Sequence, residues 1–361
     1  MANKHASLDA LFADIADAIR EKTGDTATIV ADDFPDAIRE RLQAAPPPAY
    51  LTFRSPNSFT LAVNDTTKHW TGTLEYSTDT TTWSTWDGTT TLSAVDNDGE
   101  YVLYLRGTRN IVITGLGDYG PSETYKWVLT GTDIACVGNI ENLLDYATVE
   151  SGQHPTLVEG CYADMFYGCT SLTQAPALPA TTLAMGCYYE MFYGCTSLTQ
   201  APALPATTLA NSCYAGMFHG CTSLAQAPAL PATTLANYCY DSMFQGCTAL
   251  TQVPTLSATT LAEGCYRRMF QGCTGLAQAP ALPATTLANY CYDSMFYGCS
   301  KIKLSSTQTG EYTVAYRIPS SGTGTTATDA LIDMFTSTGG TFTRTPEINT
   351  TYYLSNTNTI V

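Results

Sequence analysis

Thirteen cysteines are the most reactive side chains in this 361-residue chain, and twelve of them keep two fixed phases. Cys161, Cys187, Cys213, Cys239, Cys265 and Cys291 form one series; Cys169, Cys195, Cys221, Cys247, Cys273 and Cys299 form the other. Thiols so regular invite disulfide, metal or nucleophile chemistry. In a small secreted chain they would read as a disulfide framework. Seven residues separate each pair, which fits no common zinc spacing, and His219 is the only imidazole in the array. Phase-locking favours packing instead, since unpaired Cys is a small, soft, usually buried side chain. The expectation is two ladders of reduced, buried thiols, with no metal and no cofactor. Carboxylates are the next candidates, because glycosidases work with a pair of them. No repeat phase carries an acid or base in every copy, and no nucleophile–base motif stands elsewhere. The chain therefore reads as a non-enzyme, with a polysaccharide depolymerase the weaker reading. Asp96-Asn97-Asp98-Gly99 resembles the opening of a calcium loop, but its ligand spacing is incomplete and a hairpin turn is the expectation.

The element that fixes the cysteines is a 26-residue unit written six times between residues 160 and 304, without insertion or deletion. A unit of this length cannot bury its own apolar face, so copies stack into a solenoid with a shared core. Cys, Tyr, Met, Phe, Gly, Leu and a Thr-Thr pair hold their phases and are read as scaffold. Gln174, Gln200, Gln226, Gln252 and Gln278 also hold phase, which predicts an amide ladder. Variation is concentrated in the pair after each Tyr, the residue before the Gly, and the two residues before each Cys. Every charge between 160 and 300 falls there. A drifting solvent face would give the same confinement. The Tyr, His, Gln and Arg content is instead that of adaptable recognition surfaces. The candidate ligand-binding stripe is Tyr167, Tyr189, Glu190, Tyr193, His219, Asp241, Gln245, Arg267, Arg268, Gln271 and Tyr297.

Three segments order the chain: 1–45 helical, 49–134 strand-rich, and 135–361 repetitive. Residues 7–21 place Leu8, Leu11, Phe12, Ile15 and Ile19 on one helical face, and 33–43 predict a second short helix. Two such helices bury little alone and require a partner, so 1–43 is read as a docking or oligomerisation segment. Ala44-Ala45-Pro46-Pro47-Pro48 is a stiff spacer. Strands are predicted at 50–53, 60–63, 73–77, 101–105, 111–113 and 125–129, giving a small antiparallel β-sandwich. Trp70, Trp83 and Trp86 are either its core or a carbohydrate platform. Residues 135–160 read as a degenerate opening unit. Asp333-Met334-Phe335 and Thr350-Thr351-Tyr352 read as a closing unit after a Ser/Thr/Gly-rich insertion over 305–328 containing a strand at 312–318. The fold class is thus mixed, mainly β. A net charge of −16 argues against a nucleic-acid partner. No stretch is long and apolar enough to span a membrane. Residues 1–5 lead into an acidic helix without the apolar core of a signal peptide.

Two resemblances add to this reading. Met165-Phe166-Tyr167-Gly168-Cys169-Thr170-Ser171-Leu172 closely resembles the signature of the BspA-like, or Treponema pallidum type, leucine-rich repeat, over 135–361 with the caps counted. The unit is longer than that family's commoner one, the excess lying in Ala-Pro-Ala-Leu-Pro. Residues 8–20 with 31–38 resemble the N-terminal segments of tail-associated proteins of phages and prophages of gut bacteria. The resemblances imply a receptor-binding protein or adhesin at a phage tail tip or fibre. It would recognise a bacterial surface glycan or protein and join other tail or baseplate proteins through 1–43 as a homo-oligomer. Its location would be the virion tail, after synthesis in a bacterial cytoplasm. A bacterial cell-surface adhesin is the alternative, and a structural spacer a further one.

Overall fold

The computed structural model describes residues 50–65, 69–114, 125–319 and 327–361. The chain divides into two units, Met1–Pro48 and Ala49–Val361. The first, with the helices expected over 7–21 and 33–43, lies outside the described residues. Those described are mainly β, with sixteen strands and one helix.

Segments rich in Thr and aromatics form the early strands. Trp127-Val128-Leu129-Thr130 buries its first and third residues and exposes the others, the period of a strand with one wet face. A seven-stranded sheet runs in the order β10 (Leu172–Gln174), β9 (Ile134–Val137), β1 (Leu51–Ser55), β7 (Glu100–Thr108), β3 (Thr73–Ser77) and β4 (Ser84–Trp86), with β6 (Val95–Asn97) also on β7. A second sheet is β5 (Leu92–Ser93), β2 (Thr60–Val63) and β8 (Trp127–Thr130). The β6–β7 hairpin turns on Asp98 and Gly99, both left-handed (φ 55° and 91°), and Asp96 Oδ1 accepts from Gly99 N at 2.8 Å. The Asp96–Gly99 motif is this turn. The strand expected over 111–113 is absent. Its backbone is engaged elsewhere: Ile113 N donates to Cys161 O at 2.9 Å, and Val112 O accepts from Thr71 N at 3.3 Å.

Helix α1 (Asn142–Glu150) packs on β7, where Asn110 Nδ2 donates to Leu143 O at 2.8 Å. At Gly107 a Cβ would stand 1.6 Å from that same carbonyl, so this close approach admits only glycine. β9, at the junction of the strand-rich and repetitive segments, pairs antiparallel with β1 and parallel with β10 of the first repeat. One hydrophobic core runs from Leu51 through every repeat to Leu354.

The six repeats stack in parallel by means of a ribbon of tight turns, neither helix nor strand, over residues 160–169 and their equivalents. Left-handed backbone recurs every fourth residue: Gly160, Asp164 and Gly168, then Gly186, Glu190 and Gly194, and so on to Tyr290, Ser294 and Gly298. Alternate N–H groups close their own turn three residues back, as Ala163 does to Gly160 O and Met165 to Tyr162 O. Those between donate to the next repeat: Tyr162 to Cys187 O at 3.0 Å, Asp164 to Tyr189 O at 2.9 Å, Phe166 to Met191 O at 2.9 Å, Gly168 to Tyr193 O at 2.7 Å. The ribbon thereby satisfies its backbone groups without regular secondary structure.

Inside the ribbon, like side chains lie over like. The tyrosines from Tyr162 to Tyr292 stack with centroids 5.7–5.9 Å apart, and the phenylalanines from Phe166 to Phe296 at 5.5–5.9 Å. Such rings contribute about 1.5–3 kcal/mol each by burial. All thirteen cysteines are buried and unpaired. The second series is hydrogen-bonded as well: the thiols of Cys195, Cys221, Cys247, Cys273 and Cys299 donate at 2.9–3.1 Å to the Phe carbonyl of the preceding repeat.

Two expectations change. The Gln side chains build no amide ladder; their backbones form parallel bridges in pairs, Gln174 with Gln200 and Gln226 with Gln252, and no hydrogen bond joins the amides among the described residues. In the closing unit Phe335 stacks on Phe296 at 5.6 Å, in register as expected. Thr351, however, pairs antiparallel with Arg317, not in parallel as Thr182 does with Thr208. The insertion supplies β13 (Tyr312–Arg317), and β15 (Thr351–Ser355) turns to meet it and β12 (Lys303–Ser305), which carries β14 (Gly339–Gly340) on its other side.

Candidate recognition surface

Two rows of the turn ribbon gather the varying residues. The residues before each Gly form one row: Tyr167, Tyr193, His219, Gln245, Gln271 and Tyr297, all half-buried. Tyr167 and Tyr193 stack face to face, 4.4 Å between centroids and 2° between planes, and His219 follows at 4.4 Å with a 43° tilt. The Lys126 ammonium, which precedes β8, covers the free face of Tyr167 at 4.7 Å. The row therefore presents ring edges and hydroxyls to a ligand, its first ring faces being taken up by one another, while the Gln271 amide oxygen is buried without a partner. Burial holds the His219 imidazole below its ordinary pKa, favouring the neutral form. Burial also raises Tyr167, with Tyr193 and Glu190 adding to the effect, to about 12, so its hydroxyl remains a donor.

The second row takes the pair after each Tyr. Tyr189, Glu190, Asp241, Arg267 and Arg268 lie on it, together with Asp164, which the stripe as read from sequence omits. Asp164, only 7% exposed, has no hydrogen-bond partner on Oδ1. Burial and the neighbouring Glu190 charge raise its pKa to about 7, with Lys126 opposing. Glu190 is raised by burial, relieved by a bond from the Tyr189 hydroxyl. Asp241 is raised by burial, with Arg267 working against it from 3.4 Å, an ion pair rather than an aligned hydrogen bond. The Arg267 guanidinium also lies over Tyr238, 5.5 Å from the centroid, and Tyr238 donates to Glu263 Oε1 at 2.7 Å. Arg268 is exposed.

All eleven stripe residues are thus at the surface of one continuous ribbon, acidic near Asp164–Glu190 and basic near Arg267–Arg268. Sequence comparison of the repeats could reach Tyr238 and Glu263 through their variation before each Cys. It could not reach Lys126, which comes from outside the array.

A tryptophan platform is not formed. Trp70 and Trp86 are 3% and 1% exposed and pack on each other at 5.0 Å, and Trp86 also packs on Trp127 at 5.7 Å. Trp83 is half-buried, with Arg106 over its ring at 4.1 Å and Tyr50 beside it at 4.7 Å. Among the described residues no group of three or more His, Cys, Asp or Glu side chains is placed to hold a metal, and no helix is long and apolar enough to cross a membrane. Comparison with protein families, with curated proteins and with solved structures finds no significant match to this chain.

Proposed function

We propose that this chain is a non-enzymatic recognition protein, a receptor-binding protein or adhesin of a phage tail tip or fibre. In this reading a β-sandwich and a capped leucine-rich-repeat solenoid present the turn ribbon to a bacterial surface glycan or protein, and residues 1–43 attach the chain to other tail proteins as a homo-oligomer. The observation that carries it is that every charge between residues 160 and 300, and the exchange among Tyr, His and Gln, fall on one ribbon whose interior Tyr, Met, Phe and Cys do not vary. A scaffold held fixed while one surface row changes is what a recognition module needs. Stacked rings and paired charges also hold the surface in one conformation, which lowers the entropic cost of binding.

The test is binding of the full chain to bacterial cells and to their isolated surface glycans. Replacing Tyr189, Tyr193, His219, Arg267 and Arg268 together by Ala should abolish binding, with central Tyr and Arg contributing about 2 kcal/mol or more each. Binding that survives the combined variant removes the ribbon as the ligand surface. New reducing ends released from the glycan would make the protein a depolymerase instead.

A further inference from the structure

The Gln-bearing edge of the repeats is covered by an extended strand at both ends of the array; within it Gln226 and Gln252 bridge directly, while the edge between repeats two and three is left open. In the first repeat, Ala177 N donates to Gly138 O at 2.8 Å and Ala177 O accepts from Ile140 N at 3.1 Å. In the fifth, β11 (Gln278–Ala279) pairs in parallel with β16 (Thr359–Ile360). There Ala281 N donates to Val361 O at 2.8 Å, and Val361 N donates to Ala279 O at 3.1 Å. Asn358 Nδ2 donates to Ala277 O at 2.9 Å and to Lys301 O at 2.8 Å, so the added strand lies between repeats five and six. The turn ribbon is not disturbed by it: Gly272 N still reaches Tyr297 O at 2.7 Å, as Gly194 N reaches His219 O at 2.7 Å between repeats two and three.

Between repeats two and three the same edge has no strand on it. Gln200 and Gln226 form no bridge with each other, and a groove of about 490 Å³ opens there, lined by Gln200, Pro202 and Leu204 on one side and Gln226, Pro228 and Pro231 on the other. Residues 200–209 repeat residues 278–287 letter for letter. The groups that hold β16 on repeat five have their counterparts in Thr199 O, Ala201 O and Ala203 N, and none of these makes a hydrogen bond to a described residue.

We propose that this groove receives an extended polypeptide strand from another protein, parallel to the repeat edge and rich in β-branched residues, as Thr359-Ile360-Val361 is. Main-chain pairing to an open edge supplies the affinity, and the Ala/Pro/Leu floor selects small apolar side chains. The floor has neither the aromatic faces nor the convergent carboxylates of a sugar site. This surface is separate from the tyrosine stripe and does not depend on it.

The probe is a peptide with the sequence of residues 355–361, titrated against the full chain with hydrogen exchange as the readout. Saturable binding that slows exchange over 199–205, leaving the turn ribbon unchanged, is expected. Ala203→Pro removes the donor and should weaken binding by at least about tenfold. Ala203→Trp, at an exposed site, fills the groove and should do the same if the proline variant unfolds. No saturable binding, protection confined to 277–282 through displacement of β16, or undiminished binding by both variants would overturn the proposal. Protection of the groove by a surface glycan but not by the peptide would overturn it too.

Discussion

Left-handed backbone at every fourth ribbon residue sets the terms for single substitutions. The third such position is Gly in all six repeats, yet a Cβ on Gly220 would meet only ordinary contacts, the nearest at 3.7 Å from Gly194. Conformation, not space, demands glycine there. Gly220→Ala should therefore cost about 1–2 kcal/mol, read as a lower urea midpoint. The second position tolerates other residues, Asp164 among them (φ 56°), and adds a charge problem. Because the Asp164 pKa rises from 3.8 to about 7 on folding, the native state binds more protons than the unfolded chain between those values. Its contribution is complete below pH 3.8 and is lost as pH rises towards about 7. Asp164→Asn keeps the left-handed preference and removes the charge. It should raise stability near neutral pH, by at most about 4 kcal/mol, and the gain should fade towards pH 4 in urea titrations across that range. No sequence pattern marks this effect, since it needs Glu190 from the next repeat and Lys126 from another segment in one place.

Elements in this protein are legible where one chain segment decides its own pairing and illegible where a distant segment does. Thr60–Val63 and Thr73–Ser77 match their predicted strands because alternation and turn residues are local. The 111–113 strand fails because its donors go to separate partners, Ile113 N to Cys161 O of the first repeat and Ile111 N to Thr71 Oγ1, and the Gln ladder fails because backbone pairing, not amide pairing, joins those edges. The thiol ladders were legible from phase alone; that the second series caps Phe carbonyls was not. Burial pushes Cys221 and Cys299 up to about 12 and Cys169 to about 11, so native protein should resist thiol reagents at mildly alkaline pH. Denaturation should then release all thirteen for labelling. Rapid labelling of the folded chain would contradict the ladders. Asn358, 2% exposed, ties β16 to repeats five and six through three hydrogen bonds, including one accepted from Lys303 N at 3.0 Å. Asn358→Ala should cost roughly 2–4 kcal/mol and loosen exchange over 277–281 and 301–304 ahead of the rest.

At the scale of the whole array, the unbroken 26-residue register makes repeats interchangeable. Excising one full period, residues 213–238, joins Ser212 to Cys239 in phase and should leave a folded protein whose remaining rings still stack. Removing thirteen residues instead should abolish folding, as circular dichroism and thermal melts would report. The ribbon's hydrogen bonds have a further consequence. Every backbone bond between the turn ribbons of successive repeats points the same way, N–H towards the later repeat, so alternate peptide units of the ribbon align along the stack as they do along a helix axis. The array is therefore electrically polar. Its carbonyl end faces the strand-rich segment, where Ile113 N and Trp127 N meet Cys161 O and Met165 O at 2.9 and 2.8 Å. Its amide end falls in the closing unit, where Asp329 and Asp333 supply the negative charge that such an end attracts, and Thr345 Oγ1 accepts from Asp333 N at 2.8 Å. Two ends so unlike cannot be exchanged, and a second array could follow this one only head to tail.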